Sequence, residues 1–171
     1  MVDEILKSPP PFDSSINPLV FLDIDGVLNT QYTRNLPEAR TLWYSRGDGV
    51  EISKLNRLKR FVEDIDARII MVSSWFWSDP TPEQRKENLA MIEFLGLKDW
   101  TIGVSHHTGG GLARGKAVLS IVDNLDVTNW VVVDDAGANM YDYGVHVIDG
   151  KVGLTDEDVR SLKFRLDVGM H

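Results

Sequence analysis

Three short apolar runs, each ending in acidic or hydroxyl residues, constrain the fold of this chain most strongly. Runs of this length without polar alternation are typical of strands that a parallel sheet buries on both faces. Helical patterns lie between them, which favours alternating strands and helices. The runs are Val20 to Leu22 before Asp23-Ile24-Asp25-Gly26, Ile69 to Val72 before Ser73-Ser74, and Val131 to Val133 before Asp134-Asp135.

The remaining elements follow from periodicity and capping signals. Thr81-Pro82-Glu83-Gln84 predicts a helix start with a capping box, and Gly96 predicts the left-handed C-cap of that helix. We expect a three-layer, Rossmann-like α/β fold, with about five parallel strands and helices on both faces. The predicted strands are 18–23, 68–73, 100–104, 129–134 and 145–148, and the helices are 51–65, 82–95, 114–125 and one capped by Thr155.

The length of 171 residues suits one domain. Residues 1–17, with three consecutive prolines, predict an extended leader, and 18–171 a single catalytic domain. A long irregular insert at 29–50 contains three arginines and three aromatic residues, and inserts of that length are usually functional. The other spacings leave no room for a large cap domain.

Composition excludes several classes of protein. The net charge of −8 argues against broad electrostatic binding of nucleic acid, although it permits a local basic patch. The chain has no cysteine, so thiolate metal sites and disulfides are excluded. The first residues do not resemble a signal peptide, and no apolar run approaches transmembrane length. We therefore expect a cytoplasmic protein without a membrane partner.

The D-x-D-G sequence at residues 23–26 is the feature closest to chemistry. It fixes Asp23 and Asp25 beside each other at the end of a strand, and Gly26 lets the chain turn sharply. Two close carboxylates repel unless a cation neutralises them or one keeps a proton. The pair therefore suggests Mg²⁺ chemistry and a division between nucleophile and acid/base. Taken alone, it is also compatible with a strand-to-turn junction without function.

The order of the polar residues along the chain resembles the four motifs of the haloacid dehalogenase-like (HAD) hydrolase superfamily, over residues 18–155. The order is Asp23 and Asp25, then Ser73, then Lys116, then Asp134-Asp135. The resemblance implies a sheet with the first strand central, Asp23 as nucleophile and Asp25 as general acid/base. An acid two residues after the nucleophile is the pattern of the phosphatases and phosphotransferases of the superfamily, and a cap-less phosphatase fits best.

The resemblance also implies the phosphate and metal ligands. Ser73 would bind a phosphate oxygen, with Ser74 as the alternative, and Lys116 would balance the phosphoryl charge. The Mg²⁺ ligands would be the Asp23 carboxylate, the Asp25 carbonyl and one of the paired acids. Of that pair, Asp135 aligns better, with Asp134 as direct or indirect support.

The substrate is less constrained. Possible substrate contacts are Arg34, Arg46, Trp75 and Arg114, and the aromatic residues after Ser74 could instead cover the end of the sheet. Ser-Ser-Trp after the second strand is similar to HAD domains of RNA-repair proteins and polynucleotide 3′-phosphatases. The expected substrate is a phosphorylated small molecule or a nucleic-acid end. A phosphotransferase and a catalytically silent phosphate- and Mg²⁺-binding module remain alternatives.

Overall fold

The computed structural model describes residues 18–44, 49–77, 79–105, 111–136 and 145–169. The leader predicted at 1–17 lies outside these ranges. Seven strands and four α-helices are described, and we number them in chain order. The strands are β1 (Leu19–Leu22), β2 (Thr41–Trp43), β3 (Gly49–Glu51), β4 (Arg68–Met71), β5 (Thr101–Val104), β6 (Trp130–Asp134) and β7 (Val145–Val147). The helices are α1 (Ile52–Asp64), α2 (Pro82–Leu95), α3 (Gly111–Leu125) and α4 (Asp156–Val168).

Five strands form one parallel sheet in the order β5-β4-β1-β6-β7. This arrangement confirms the predicted α/β fold, with β1 at the centre. Leu22 at the end of β1 is in register with Met71 of β4 and with Val133 of β6. The carboxyl ends of the three central strands therefore reach the same edge of the sheet.

Both faces of the sheet are buried. Successive side chains of a strand point to opposite faces, so a strand between two buried faces contributes to two core clusters. In β1, Val20 and Leu22 belong to one core cluster, whereas Leu19 and Phe21 belong to the other. Buried residues of α1, α2 and α4 join the first cluster, and Val118 and Leu125 of α3 join the second. Helices thus cover both faces, as the three-layer prediction requires.

The capping signals predicted two helix ends correctly. Thr81 and Gln84 form the capping box that starts α2, and Gly96 ends this helix in the left-handed conformation, at φ 62°. The start predicted for α3, near residue 114, is three residues too late, because the helix begins at Gly111. Glycine is a poor helix former, and it obscured the first turn of this helix in the sequence.

The insert at 29–50 is more regular than the sequence suggests. It contains two short 3₁₀ turns, Thr33–Asn35 and Glu38–Arg40, followed by the antiparallel hairpin of β2 and β3. The prediction of an irregular loop was therefore wrong. The two strands have only three residues each, which is too short for an alternating pattern to be recognised.

Nothing in the described ranges forms a large cap domain over the strand ends, as predicted. Within the same ranges, no helix combines the length and apolar character needed to cross a membrane.

Candidate active site

The carboxyl ends of β1 and β6 place two buried aspartates side by side. The Asp23 N–H donates to the Val133 carbonyl at 3.0 Å, which continues the pairing of the two strands to the site. Asp23 is 5% exposed and Asp134 is fully buried. Carboxylate oxygens of Asp23, Asp134 and Asp135 all lie within 4.8 Å of one another. β4 and β5 lie on one side of β1, whereas β6 and β7 lie on the other, so the strand order reverses between β1 and β6, and ligands of open α/β sheets bind at such a point.

One guanidinium group bridges the two buried carboxylates. Arg114 Nη1, on α3, lies 3.0 Å from Asp23 Oδ2 and 3.0 Å from Asp134 Oδ2. Lys116, two residues later on the same helix, has an exposed side chain. The structure therefore brings Arg114, rather than Lys116, into contact with the predicted nucleophile. Arg114 enters the site as a partner of these acids, and not only as the substrate contact that the sequence suggested.

The environment of Asp23 disfavours its ionised form. Burial and the neighbouring charge of Asp134 raise its pKa to about 7, although Arg114 and hydrogen bonds from the Ile24 N–H and the Ser73 side chain act in the opposite direction. Negative charge at this site is thus only partly compensated by the protein. The donor set, composed of carboxylate oxygens, suits a hard divalent cation.

The paired acids after β6 differ in their surroundings. The Asp134 oxygens interact with Arg114 and with the Ala136 N–H, at 3.0 and 2.8 Å. Asp135 is more exposed, and burial together with the charges of Asp134 and Asp25 raises its pKa.

Two glycines leave room for the Asp135 carboxylate. A Cβ atom would lie 2.1 Å from Asp135 Oδ2 if it were added at Gly26, and 2.4 Å if it were added at Gly150. Gly26 also has φ +71°, which favours glycine. The D-x-D-G turn therefore provides space for the acid that follows β6, and this acid reaches the cluster from the open side of the site.

Two N–H groups hold the carboxylate of Asp25, which is exposed at the mouth of the site. Trp75 Nε1 and Asn29 Nδ2 both donate to Asp25 Oδ1, at 2.9 and 3.0 Å. The Asn29 side chain also accepts from the Gly26 N–H at 3.0 Å and donates to the Gly49 carbonyl at 3.2 Å. Asn29 thereby links the D-x-D-G turn to the hairpin of the insert.

The residues after β4 have separate roles. Ser73 is buried and its Oγ accepts from the Trp75 N–H at 3.3 Å, whereas Ser74 is exposed. Phe76 packs in the core, and the exposed Trp77 donates its ring N–H to Glu87 at 3.0 Å. The Ser73 side chain also hydrogen-bonds to Asp23, so Ser73 is the serine beside this aspartate.

A cleft of about 510 Å³ opens beside these acids. Asp25 and Asp135 line it together with Arg34 and Trp43 of the insert. Arg34 thus lines the cleft, and its contact with substrate stays a prediction. Arg46 lies outside the described residues.

Two residues of the site, Asn29 and Gly150, were not predicted from the sequence. Asn29 follows Asp25 by four residues in a tight turn, a spacing that could have suggested a contact between the two side chains. Gly150 gave no such signal, because its role depends on the position of Asp135.

A central strand ending in D-x-D-G, with acidic residues at the end of its neighbour β6 and a cation from the helix that precedes β6, defines a HAD-type α/β domain. The family model described as "HAD domain in Swiss Army Knife RNA repair proteins" matches residues 19–159, and the chain belongs to this family. The resemblance to the superfamily and to its RNA-repair members is confirmed. This membership places the chain among the HAD-type hydrolases, whose general activity is of the phosphatase type and which generally use a divalent metal. A search of curated proteins found no match.

Proposed function

We propose that this protein is a Mg²⁺-dependent phosphomonoesterase that works through an aspartyl-phosphate on Asp23 and acts on nucleotides or nucleic-acid ends. One observation supports it most: Asp23 is buried against Arg114 at the end of the central strand, while Asp25 lies in the adjacent cleft on two N–H donors. A nucleophile and an acid/base in these two settings are what two-step phosphoryl transfer requires.

In the first step, a carboxylate oxygen of Asp23 attacks phosphorus and the bond between phosphorus and the leaving oxygen breaks. Asp25 gives its proton to that oxygen, so the leaving group departs as a neutral alcohol. Because Trp75 and Asn29 both donate to Oδ1, the proton is carried on Oδ2 of Asp25. Arg114 and Ser73 lie beside Asp23 and would compensate charge on the phosphoryl oxygens.

In the second step, the ionised Asp25 takes a proton from water, and the water oxygen attacks phosphorus. The bond between phosphorus and Asp23 then breaks, which releases inorganic phosphate and restores both carboxyl groups. Each residue thus ends the cycle in the protonation state in which it began. The open cleft gives water access to Asp25, which is exposed.

The carboxylates of Asp23 and Asp135 would hold the Mg²⁺ ion, with Asp134 in support. Asp134 already interacts with Arg114 and the Ala136 N–H, whereas the glycine-lined space positions Asp135 at the open side. The role expected for the Asp25 carbonyl stays a prediction. When bound, the ion would neutralise negative charge shared by the carboxylates and the phosphoryl group.

Phosphate release tests this function. Wild type, Asp23→Asn and the control Asp167→Asn, which replaces an exposed acid of α4, would be assayed with Mg²⁺ or with EDTA. The substrates are p-nitrophenyl phosphate, ribose 5-phosphate, nucleoside monophosphates and oligonucleotides with a 3′- or 5′-phosphate. We expect metal-dependent release by wild type and the control, and a loss of at least about 10³-fold in Asp23→Asn. Full activity in EDTA or in Asp23→Asn would overturn the proposal.

Trapping then tests the intermediate. Borohydride reduces an acyl phosphate to an alcohol, so quenched enzyme is expected to yield homoserine at position 23. Adding acceptor alcohols distinguishes hydrolysis from transfer, since a phosphotransferase would form new phosphomonoesters. Folded protein that binds Mg²⁺ and releases no phosphate from any substrate would instead indicate the silent binding module.

A further inference from the structure

The cleft that contains Asp25 and Asp135 is also lined by residues of the insert, among them Arg34, Trp43 and Gly49. These three provide a cation, an aromatic ring and a buried glycine against which the ring packs. None of them takes part in the two proposed steps. Their position beside the acid/base indicates a site for the part of the substrate that leaves.

Trp43 is held against Gly49 across the hairpin. The two residues are cross-strand partners, and a Cβ atom added at Gly49 would lie 2.8 Å from Trp43 Cε3 and 2.9 Å from Cζ3. The six-membered ring of the indole therefore packs on the glycine backbone, where any other residue would displace it. An indole fixed in this way offers a planar surface at little further cost in conformational entropy.

The hairpin is joined to the catalytic turn by one side chain. Asn29 Nδ2 donates to the Gly49 carbonyl at 3.2 Å and to Asp25 Oδ1 at 3.0 Å. The distance between the Trp43 platform and the acid/base is therefore fixed through two hydrogen bonds.

Arg34 lies on an anchored turn. The hydroxyl of the buried Thr33 donates to Glu51 Oε1 at 3.0 Å, and Glu51 forms an ion pair with the buried Lys54. Arg34 itself is exposed in the cleft, and within the described ranges it forms no ion pair with an acidic side chain. Among the described residues that line the cleft, it is the only lysine or arginine.

We infer that the cleft contains a leaving-group subsite in which Trp43 stacks on a nucleobase and Arg34 binds a second phosphate. The substrate class is then a nucleotide that carries one phosphate at Asp23 and another on the same nucleoside unit. This inference rests on the proposed function, because it takes the reacting phosphate to lie at Asp23. A sugar phosphate has no planar ring for Trp43, and a longer strand would require more cations than this cleft provides.

Binding measurements test the subsite without turnover. In an Asp23→Asn background with Mg²⁺, calorimetry would compare adenosine 3′,5′-bisphosphate, adenosine 5′-monophosphate and ribose 5-phosphate. We expect Trp43→Ala to weaken both adenosine ligands about 5- to 100-fold and leave ribose 5-phosphate unchanged. Arg34→Gln is expected to weaken the bisphosphate about tenfold and remove its advantage over the monophosphate.

Matched variants separate recognition from folding. Trp43→Phe keeps a ring on Gly49 and should retain most of the affinity, and thermal melts would verify that each variant is folded. Tyr32→Ala and Arg40→Gln replace exposed residues of the same insert that do not line the cleft, so binding should not change. Equal losses for all three ligands in Trp43→Ala, or equal losses in Arg34→Gln and Arg40→Gln, would overturn the inference.

A 5′-phosphorylated dinucleotide distinguishes the source of the second phosphate. Tighter binding than the free bisphosphate would identify a strand end, and weaker binding a free nucleotide; both outcomes support the subsite. Wild-type phosphate release from the full substrate panel tests the proposed function separately. If no phosphate is released while Trp43-dependent binding persists, the proposed function fails and the subsite stands. If phosphate is released but binding does not depend on Trp43, the proposed function stands and the subsite fails.

Discussion

At the scale of single residues, two cations are candidates for the position next to Asp23, the proposed nucleophile. Arg114 contacts Asp23 and Asp134, and Lys116 is exposed on the same helix. We expect Arg114→Ala to lower kcat/KM by about 10²–10³-fold, because it removes the charge that faces both buried carboxylates. Lys116→Ala should lower it far less. Steady-state kinetics on folded variants would distinguish the two residues. A larger loss of kcat/KM in Lys116→Ala than in Arg114→Ala would assign the role to Lys116.

We expect Trp75 to act as a positioning residue for Asp25, through the 2.9 Å hydrogen bond from its ring nitrogen. Trp75→Phe keeps an aromatic ring and removes the donor, so Asp25 keeps only the Asn29 contact. We expect kcat to fall about three- to tenfold with KM nearly unchanged, together with a shifted pH profile of kcat.

Trp77→Phe is the matched control, since this exposed indole donates to Glu87 instead. A fall in kcat common to both variants, or a change confined to KM in Trp75→Phe, would contradict the positioning role.

Asp23 also makes the stability of the metal-free protein depend on pH. Its pKa is raised from 3.8 to about 7, so between these values the folded state holds a proton that the unfolded state has lost. Stability therefore falls as the pH rises through this window, and the full penalty remains above it. Asparagine has no such penalty. At pH 8 in EDTA we expect Asp23→Asn to raise Tm by at least about 2–4 °C.

The pH series is the check on this effect. The Tm difference between Asp23→Asn and wild type should shrink as the pH is lowered towards 4, where the side chain at position 23 of the folded protein is neutral in both proteins. Asp167→Asn, at an exposed position, should show no comparable difference. A gap that widens on acidification would have the wrong sign for a raised pKa and would refute this account.

At the scale of the elements, the turn after β1 and the segment after β7 together position Asp135. Gly26 and Gly169 both have positive φ, at 71° and 65°, so alanine at either position costs about 1–2 kcal/mol in backbone strain. Only at Gly26 would the new methyl group meet Asp135, because nothing lies within 4 Å at Gly169. We expect Gly26→Ala to weaken Mg²⁺ binding about 10- to 100-fold, as the loss of a supporting contact typically does.

Calorimetric titration with Mg²⁺ measures this difference directly, and Gly169→Ala serves as the control for strain alone. Equal Mg²⁺ affinities of the two variants would show that Asp135 tolerates the displacement, and the role of the glycine-lined space would then be wrong.

The same elements show what the sequence can predict. The three central strands, and Asp23, Ser73 and Asp134 near their ends, were predictable, because each strand is a local apolar run followed by a polar residue. The choice between Arg114 and Lys116 could not be predicted. Residues two apart point to different sides of a helix, and the side of α3 that faces the site was not evident because its first turn was not recognised in the sequence.

Contacts between distant segments were also beyond the sequence. The Asn29 contact with Gly49 joins residues 20 apart and becomes visible only with the hairpin in place. The space that Gly26 and Gly150 leave for Asp135 likewise depends on the meeting of three segments.

At the scale of the whole molecule, the net charge of −8 and the single arginine among the described cleft residues limit how a polyanion can bind. Contacts to about two phosphates, the reacting one and the one at Arg34, predict a shallow salt dependence. For single strands, each contact contributes about −0.7 to the slope of log K against log salt, so we expect about −1.4.

Affinities of the Asp23→Asn variant for 5′-phosphorylated strands of two and ten nucleotides, measured across a KCl series at fixed Mg²⁺, would test this slope. The two strands are expected to give the same slope and similar affinities, because the described cleft lining has no second lysine or arginine to contact nucleotides beyond the first unit. A slope that steepens with strand length would reveal a basic track, and the protein would then hold the body of a nucleic acid rather than its phosphorylated end.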